Sequence, residues 1–598
     1  MIGLFGIVSH ESVVQKERRF AAFSRMKNDI ERDEDFTTES LTCPHFSIGL
    51  TKRGIGENKD LAMKAISNSF LCAFCGYGKF KGEKKLYWAT EMIDRVAEVF
   101  VDKGEAALTL IEGSFQLFLL QGTEFLIVAD RFSSKNLFYH SDDKCFVFAP
   151  DVGRVVQSGL VPRTKDLDAA KQVLNCGLFL DDSTLVKSVK RSPYGTLLKG
   201  RIAPKLEIKT RRYWEIPKNE GTVVVVTPSL VNEFRSKLKQ AIDETSELQP
   251  SAIVSLSGGL DSRAIAYFLS KRQPLVTVTY DLGDEGGIPG KVCEALGGRQ
   301  IYFSNQMIRS ESFREALKRI IENQRVHAVL NQYFHAPLFS HFFHSNKDRE
   351  YSAIYDGIYM DILFSAAYVH FSFNVDDFKR IYAGNFEVAS LPFCRRLGRD
   401  ELGSLINTVY EKNIDSLAGS DGVGRSQKAY LNGRLRRYVL ECPLAKENYA
   451  YVFKPGFDYE LADFGFELSL KLRKGLLYRA LFKNFSEIKN IPYKDSYGNR
   501  PTTLVEKVKQ NYRNTRMKIS YGTNGLWSYF PWQVEWFFLG LKQIDNYREM
   551  LLRPNFIGEL FSDDDLEELF ESVKKKHYLS GLFQRVLFLQ QFYRRYGF

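Results

Sequence analysis

Hydrophobic positions follow two different rhythms along this chain. Up to about residue 210 they come in short alternating segments, FGIV, LCAFCGYG, FQLFLLQG, EFLIVADR and KCFVFAP, separated by turn residues. Such segments predict strands of an antiparallel or mixed sheet system, and MIDRVAEVF predicts a helix among them. Around Arg211 the pattern changes, because RRYWEIPKNEG carries exposed charge, a Pro and a Gly and reads as a link. Beyond it Val231, Phe234, Leu238 and Ile242 recur at helical spacing. Strands and helices then alternate through AIVSLS, RAIAYFLSKR, LVTVTYDLG, a helical stretch near 292–296, QIYFS and ESFREALKRIIENQ. That spacing predicts an α/β unit with a largely parallel sheet. The remainder reads mainly as helices, so the expected division is 1–210, a linker at 211–228, and 229–598.

Composition narrows the class. The chain has 598 residues, 44% of them hydrophobic and 14% aromatic, which is enough for two or three cored domains and argues against disorder. A net charge of +11, from 83 Lys and Arg against 72 Asp and Glu, is compatible with an anionic ligand. Spread over this length it does not point to nucleic acid. No run of about 18 apolar residues suggests a membrane span. The apolar start MIGLFGIV lacks the basic segment of a signal peptide, and eight cysteines make no disulfide framework, so a reducing cytoplasm is expected.

Cys72 and Cys75 form a lone CxxC without a second ligand pair and read as ordinary thiols. Among His327, His335, His341 and His344 only the last two are at helical spacing, with no acidic third ligand in view. SDDDLEELFESVKKK reads as a helix capped by Ser562, with acids first and lysines last as the helix dipole favours.

The chemistry is expected at SGGLDS, residues 257–262, where a buried strand gives way to a helix. Ligands of open parallel sheets bind at such carboxyl ends. Gly258 and Gly259 let backbone N–H groups converge, the helix N-terminus adds partial positive charge, and Ser257 and Ser262 add hydroxyls. The set suits a pyrophosphate. Asp261 then makes sense as a magnesium ligand, since a bare carboxylate repels phosphate. No Lys follows the glycines, so this is not the phosphoryl-transfer P-loop.

SGGLDS resembles the pyrophosphate loop of the ATP-pyrophosphatase group, specifically asparagine synthetase and its relatives, the β-lactam synthetases and lasso-peptide macrolactam cyclases. FGIV, ADRFSSKNLFYH (similar to DRxGxxPLYY), SPYGTLLKG and RRYW resemble that family's amidotransferase-like first domain. YDGIYMDILF resembles its GxGxDExF segment, with Gly357 and Asp361 in place, and PGFDYELADF resembles PFLDxxLxxF. The resemblance implies an Ntn-hydrolase-like (glutaminase-like) α+β sandwich. An ATP-pyrophosphatase α/β synthetase domain with a helical C-terminal part is implied to follow it. It implies ATP and Mg2+, with Asp261 and Asp361 sharing the metal, and a Lys near the departing pyrophosphate. Lys494 is the candidate for that Lys, with Lys489 and Arg500 as competitors.

Three departures sharpen the expectation. Glutamine-using members begin Met-Cys-Gly, whereas this chain has Ile2, which offers no nucleophile. Ile358 replaces the residue that is Glu in asparagine synthetase and Tyr in β-lactam synthetase, leaving Asp356 and Tyr359 as candidate bases. Ser365 replaces a Gly. The first two favour an enzyme that adenylates a carboxylate for attack by the substrate's own amine. The aromatic stretch LWSYFPWQVEWFFLGL, at 526–541, leans towards a linear core peptide as substrate and a lasso-type ring closure. A leader peptidase or leader-binding protein is then an expected partner, and neither nucleic acid nor membrane is. An ammonia-dependent or β-lactam-type small-molecule synthetase, and a non-catalytic ATP-binding scaffold, remain open on these residues.

Overall fold

The computed structural model describes the chain apart from residues 281–286, 304–309, 324–334, 346–350, 366–430 and 500–546. Short gaps lie at 11–13, 34, 44, 55, 68–69, 204, 218–220, 470–471, 473–474, 496–497, 553 and 576–579.

Short alternating segments of the first half become two antiparallel sheets. One is formed by β1 (Gly3–Ser9), β2 (Phe36–Cys43), β3 (Phe46–Arg53), β9 (Phe138–Ser141), β10 (Cys145–Ala149) and β11 (Lys190–Arg191), in the order β11-β9-β10-β1-β3-β2. The other is formed by β4 (Leu61–Ser67), β5 (Phe70–Phe80), β6 (Tyr87–Trp88), β7 (Ile111–Gln121), β8 (Glu124–Ala129), β12 (Thr196–Ala203) and β13 (Lys205–Arg212). Its order is β13-β12-β8-β7-β5-β4, with β6 added to β5.

Period-two patterning places the cores. On β5, Leu71, Ala73 and Cys75 face the other sheet, while Phe70, Cys72 and Phe74 face the helix Ala89–Lys103. Cys72 and Cys75 therefore point to opposite faces, and the CxxC is no ligand pair. The helices Lys16–Glu31, Val152–Gln157 and Leu167–Cys176 share the core beyond the first sheet. The result is a four-layer α/β/β/α sandwich.

β13 runs to Arg212, and Trp214 beyond it packs on Phe132, Tyr194 and Phe466. A long helix, Pro228–Leu248, capped by Thr227, opens the second half. It leads into a parallel sheet of β14 (Ala252–Ser255), β15 (Val276–Tyr280), β16 (Arg299–Phe303), β17 (Ala353–Tyr355) and β18 (Tyr451–Phe453), ordered β16-β15-β14-β17-β18. β17 and β18 are three residues each, too short for their apolar runs to stand out in the sequence.

C-terminal helices return to the first half. Ser580–Tyr596 joins the core formed by the Val152–Gln157 helix, so closely that a Cβ on Gly153 would stand 1.8 Å from the Tyr596 phenol oxygen. The Asp563–Lys575 helix begins as a reciprocal cap, with Asp565 N donating to Ser562 Oγ and Ser562 N to Asp565 Oδ2.

Buried ion pairs join the halves. Lys79 donates to both Glu244 oxygens at 2.9 and 2.8 Å, and Glu447 accepts from Lys135 at 2.7 Å and Lys454 at 2.6 Å. Burial alone would raise the Glu447 carboxyl, but the two lysines outweigh it and hold it below its ordinary range.

Candidate functional site

β14 ends at Ser255, and residues 256–260 turn into the helix Asp261–Leu269. Leu256 N still donates to Val278 O at 3.0 Å, fixing the loop's start against β15. The turn folds on itself: Ser257 N donates to Ser262 Oγ at 3.0 Å, the two hydroxyls lie 2.9 Å apart, and Gly259 N donates to Ser257 Oγ at 3.2 Å. Residues 257–259 thus lead straight into the positive end of a helix dipole.

The neighbouring strand delivers the second loop. β17 pairs with β14 in parallel, Val254 opposite Tyr355, so residues 356–361 emerge beside residues 256–261. A Cβ on Gly357 would stand 3.3 Å from Asp261 Cβ and 3.5 Å from Ser262 N. Asp361 opens a π-helical turn, Asp361–Ser365, and its Oδ1 accepts from Ile362 N at 2.9 Å. Tyr478, on the helix Leu476–Phe482, is wholly buried beside both acids. Burial first, and then the adjacent Asp261 and the Asp361 charge, push its phenol well above the ordinary range. Asp261 and Asp361 are thereby gathered around one protonated phenol.

The other sequence-derived residues lie nearby in different settings. Asp356 Oδ2 accepts from Lys446 Nζ at 2.7 Å, and the same ammonium donates to Ser255 Oγ at 3.2 Å. Lys446 is 3% exposed, so its charge is fixed between the ends of β14 and β17. Tyr359 adopts φ +72°, in the left-handed region rare for an aromatic residue, and its buried ring packs on Phe132 (5.3 Å) and Phe457 (5.6 Å). Ser133, beside Phe132, shares this conformation at φ 47°. Positive-φ residues on both halves therefore flank one aromatic contact.

Lys494 begins a two-residue strand whose partner is Asn499. The chain just before it is anchored to the loop's own helix, because Arg263 donates to Ile491 O at 2.8 Å and also to Pro492 O. Burial lowers the Arg263 guanidinium to about 10. The aromatic stretch 526–541, His327 and Arg500 lie outside the described residues. His341 Nδ1 is 2.8 Å from Ser312 Oγ, and His344 Nε2 is 2.9 Å from Asp35 Oδ1, so these two imidazoles have separate partners.

Lys446, Tyr478 and Arg263 escaped the sequence reading. Only Arg263 left a signal, as the one basic residue in the helix Asp261–Leu269. The donor set suits a magnesium-bound triphosphate in kind: serine hydroxyls and a helix N-terminus at 257–262, with the carboxylates of Asp261 and Asp361 both acting on Tyr478.

Two family models match successive parts of the chain. Residues 84–214 match the family model described as a glutamine amidotransferase domain, and residues 233–346 match the one described as asparagine synthase. No curated protein matches the chain. Among solved structures, that of an allosteric regulatory enzyme of purine biosynthesis is 10% identical. It covers 50% of this chain and 79% of its own, with a TM-score of 0.25. Glutamine phosphoribosylpyrophosphate amidotransferase from B. subtilis, complexed with ADP and GMP, is 9% identical and covers 51% and 91%, with a TM-score of 0.25. Among the described residues no helix is long and apolar enough to cross a membrane. Along the chain, a stretch similar to a glutamine amidotransferase domain is thus followed by one similar to asparagine synthase.

Proposed function

We propose that this protein is an ATP-dependent carbon–nitrogen ligase that adenylates a substrate carboxylate and closes an amide with an amine of the same molecule. The observation that carries the reading is the contact of Gly357 with Asp261, which draws two acid-bearing loops together at the carboxyl ends of adjacent parallel strands. The asparagine synthase match over 233–346 supports the reaction class.

In this reading Ser257, Gly258, Gly259 and Ser262 receive the pyrophosphate of ATP. Asp261 and Asp361 hold its Mg2+, which supplies charge neutralisation when bound. The substrate carboxylate attacks the α-phosphorus and pyrophosphate leaves. The amine then attacks the activated carbonyl and AMP departs, with Lys494 assigned to the departing charge. Asp356, oriented by Lys446, and Tyr359 are the proton acceptors assigned to the amine. Holding both ends of one substrate replaces a bimolecular encounter.

The source of the amine follows from Ile2. Its hydrocarbon side chain cannot attack a glutamine amide, and Met1 before it is buried, its carbonyl accepting from Arg154 at 2.6 Å. A linear core peptide closed into a macrolactam, as in lasso peptides, is the substrate proposed, in the cytoplasm and with a leader peptidase or leader-binding protein as partner. The amidotransferase match favours a second reading, in which glutamine supplies ammonia.

Pyrophosphate release from MgATP separates these readings, measured with candidate core peptides, with ammonia plus aspartate, and with glutamine plus aspartate. Peptide-dependent release with loss of one water from the peptide supports ring closure. Release with glutamine or ammonia alone overturns it in favour of an asparagine synthetase-type reaction. Biological activity left intact by Asp261→Asn would favour the third reading, a non-catalytic ATP-binding scaffold.

A further inference from the structure

The first domain carries a second cluster of metal-competent side chains, far from the ATP loop in sequence and on a different sheet. Among the described residues, His140, Asp142 and Cys145 present ligand atoms that all lie within 4.8 Å of one another. They belong to the hairpin of β9 and β10. His140 pairs with Val147 across the ladder, and the pleat places His140 and Cys145 on the face that carries Phe138 and Val147. Asp142 sits in the turn, where its Oδ1 accepts from Lys144 N at 2.9 Å and Cys145 N at 2.8 Å. Those bonds hold Oδ1 to the turn backbone and leave Oδ2 turned towards the imidazole, 3.5 Å from Nε2.

The imidazole is oriented from behind. His140 Nδ1 lies 2.9 Å from Ser188 O, and a backbone carbonyl can only accept, so Nδ1 carries the proton. In the neutral ring Nε2 then holds a lone pair. That atom is buried and has no hydrogen-bond partner among the described residues, on a side chain 6% exposed. The imidazole nitrogen, the carboxylate and the thiol thus face one another, with Nε2 3.5 Å from Asp142 Oδ2, a set that a divalent ion can bridge once it displaces the thiol proton. A carbonyl-tethered His is also the usual support of a metal-binding imidazole.

We propose that His140 Nε2, Asp142 and Cys145 bind a divalent ion of the zinc class, with the fourth position left to water. Zinc takes N, O and S ligands together, at about 2.0–2.3 Å, which spaces tetrahedral ligand atoms roughly 3.3–3.8 Å apart. Closing the cluster needs about 1 Å of movement, available from Asp142, whose side chain is 36% exposed. Cys145 gives up its thiol proton to solvent as the metal–sulfur bond forms. The resulting thiolate and the Asp142 carboxylate neutralise the ion; without it, burial and Asp142 push the thiol up to about 12 against the weaker pull of Arg18 and Lys144. Bound there, the metal staples the hairpin turn and, through Ser188, the segment that leads into β11.

Cobalt(II) tests the site in the full chain, stripped with chelator and kept in excess Mg2+ without ATP. One equivalent is expected to bind with a thiolate-to-cobalt charge-transfer band, and zinc should displace it. Cys145→Ser is expected to abolish the band, and Asp142→Asn, at a half-exposed position, to weaken binding at least tenfold with the melting temperature of the metal-free chain unchanged. No band in the parent chain, or a band that survives Cys145→Ser, overturns the proposal. Should Cys145→Ser not fold, unchanged cobalt affinity in Asp142→Asn overturns it equally.

Discussion

Gly357 and Asp261 sit on neighbouring loops with no room for a side chain between them: a Cβ at 357 would lie 3.3 Å from Asp261 Cβ. Contacts of that length push the partners apart by a few tenths of an ångström, and here the partner bears a candidate metal carboxylate. Gly357→Ala is therefore expected to lower pyrophosphate release at least tenfold while moving the melting temperature little. Unchanged activity would show that the loops tolerate separation.

Asp261→Asn and Asp361→Asn are each expected to abolish MgATP-dependent pyrophosphate release. Tyr478→Phe keeps the buried ring and removes only the phenol oxygen beside Asp261. With that buried polar atom gone the two acids lose a neighbouring dipole, and this variant is expected to bind MgATP more weakly, read by calorimetry.

Lys446 is buried and its partner Asp356 is 17% exposed. Losing Asp356 strands a buried ammonium, whereas losing Lys446 leaves a carboxylate that water can reach, so the first costs more. Asp356→Asn is thus expected to lower the urea midpoint more than Lys446→Met, and the double variant to recover part of the loss. If Asp356 also accepts a proton from the amine, Asp356→Asn will lose activity at temperatures where it is fully folded.

Asp458 caps the helix Tyr459–Glu467 by accepting from Leu461 N at 2.8 Å. Burial raises its carboxyl to about 7. The folded chain therefore holds this proton after the unfolded chain has released it. Its contribution to stability is fully present below the ordinary carboxylate range and is lost as pH rises through about 7. Asparagine caps as well as aspartate and has no such proton to lose. The melting temperature is expected to fall between pH 5 and pH 8 by a few degrees more in the parent chain than in Asp458→Asn. Parallel pH profiles for the two proteins would count against a protonated Asp458.

Much of this protein was legible in its residue pattern, because strands and helices bury their faces with fixed periods. Alternating segments identified β1, β5, β7, β8 and β10, and helical spacing identified Pro228–Leu248 and Glu311–Asn323. SGGLDS stood out because two glycines and an acid between a strand and a helix have few structural uses, whereas Gly357 and Asp361 were picked out by the resemblance of YDGIYMDILF to a family segment. Strand order, ion pairing and the surroundings of each polar group were not legible, since they depend on residues far apart in the chain. Lys446 is an unremarkable helix lysine until β17 and β14 pair and bring Asp356 and Ser255 to it. Tyr478 becomes a neighbour of Asp261 and Asp361 only when its helix packs beneath both loops. The sequence by itself determined the loop chemistry and the sandwich-then-parallel-sheet order, through local spacing. Tertiary structure alone decided which acids are paired with lysine and which phenol lies beside Asp261 and Asp361, because burial and charge act across space.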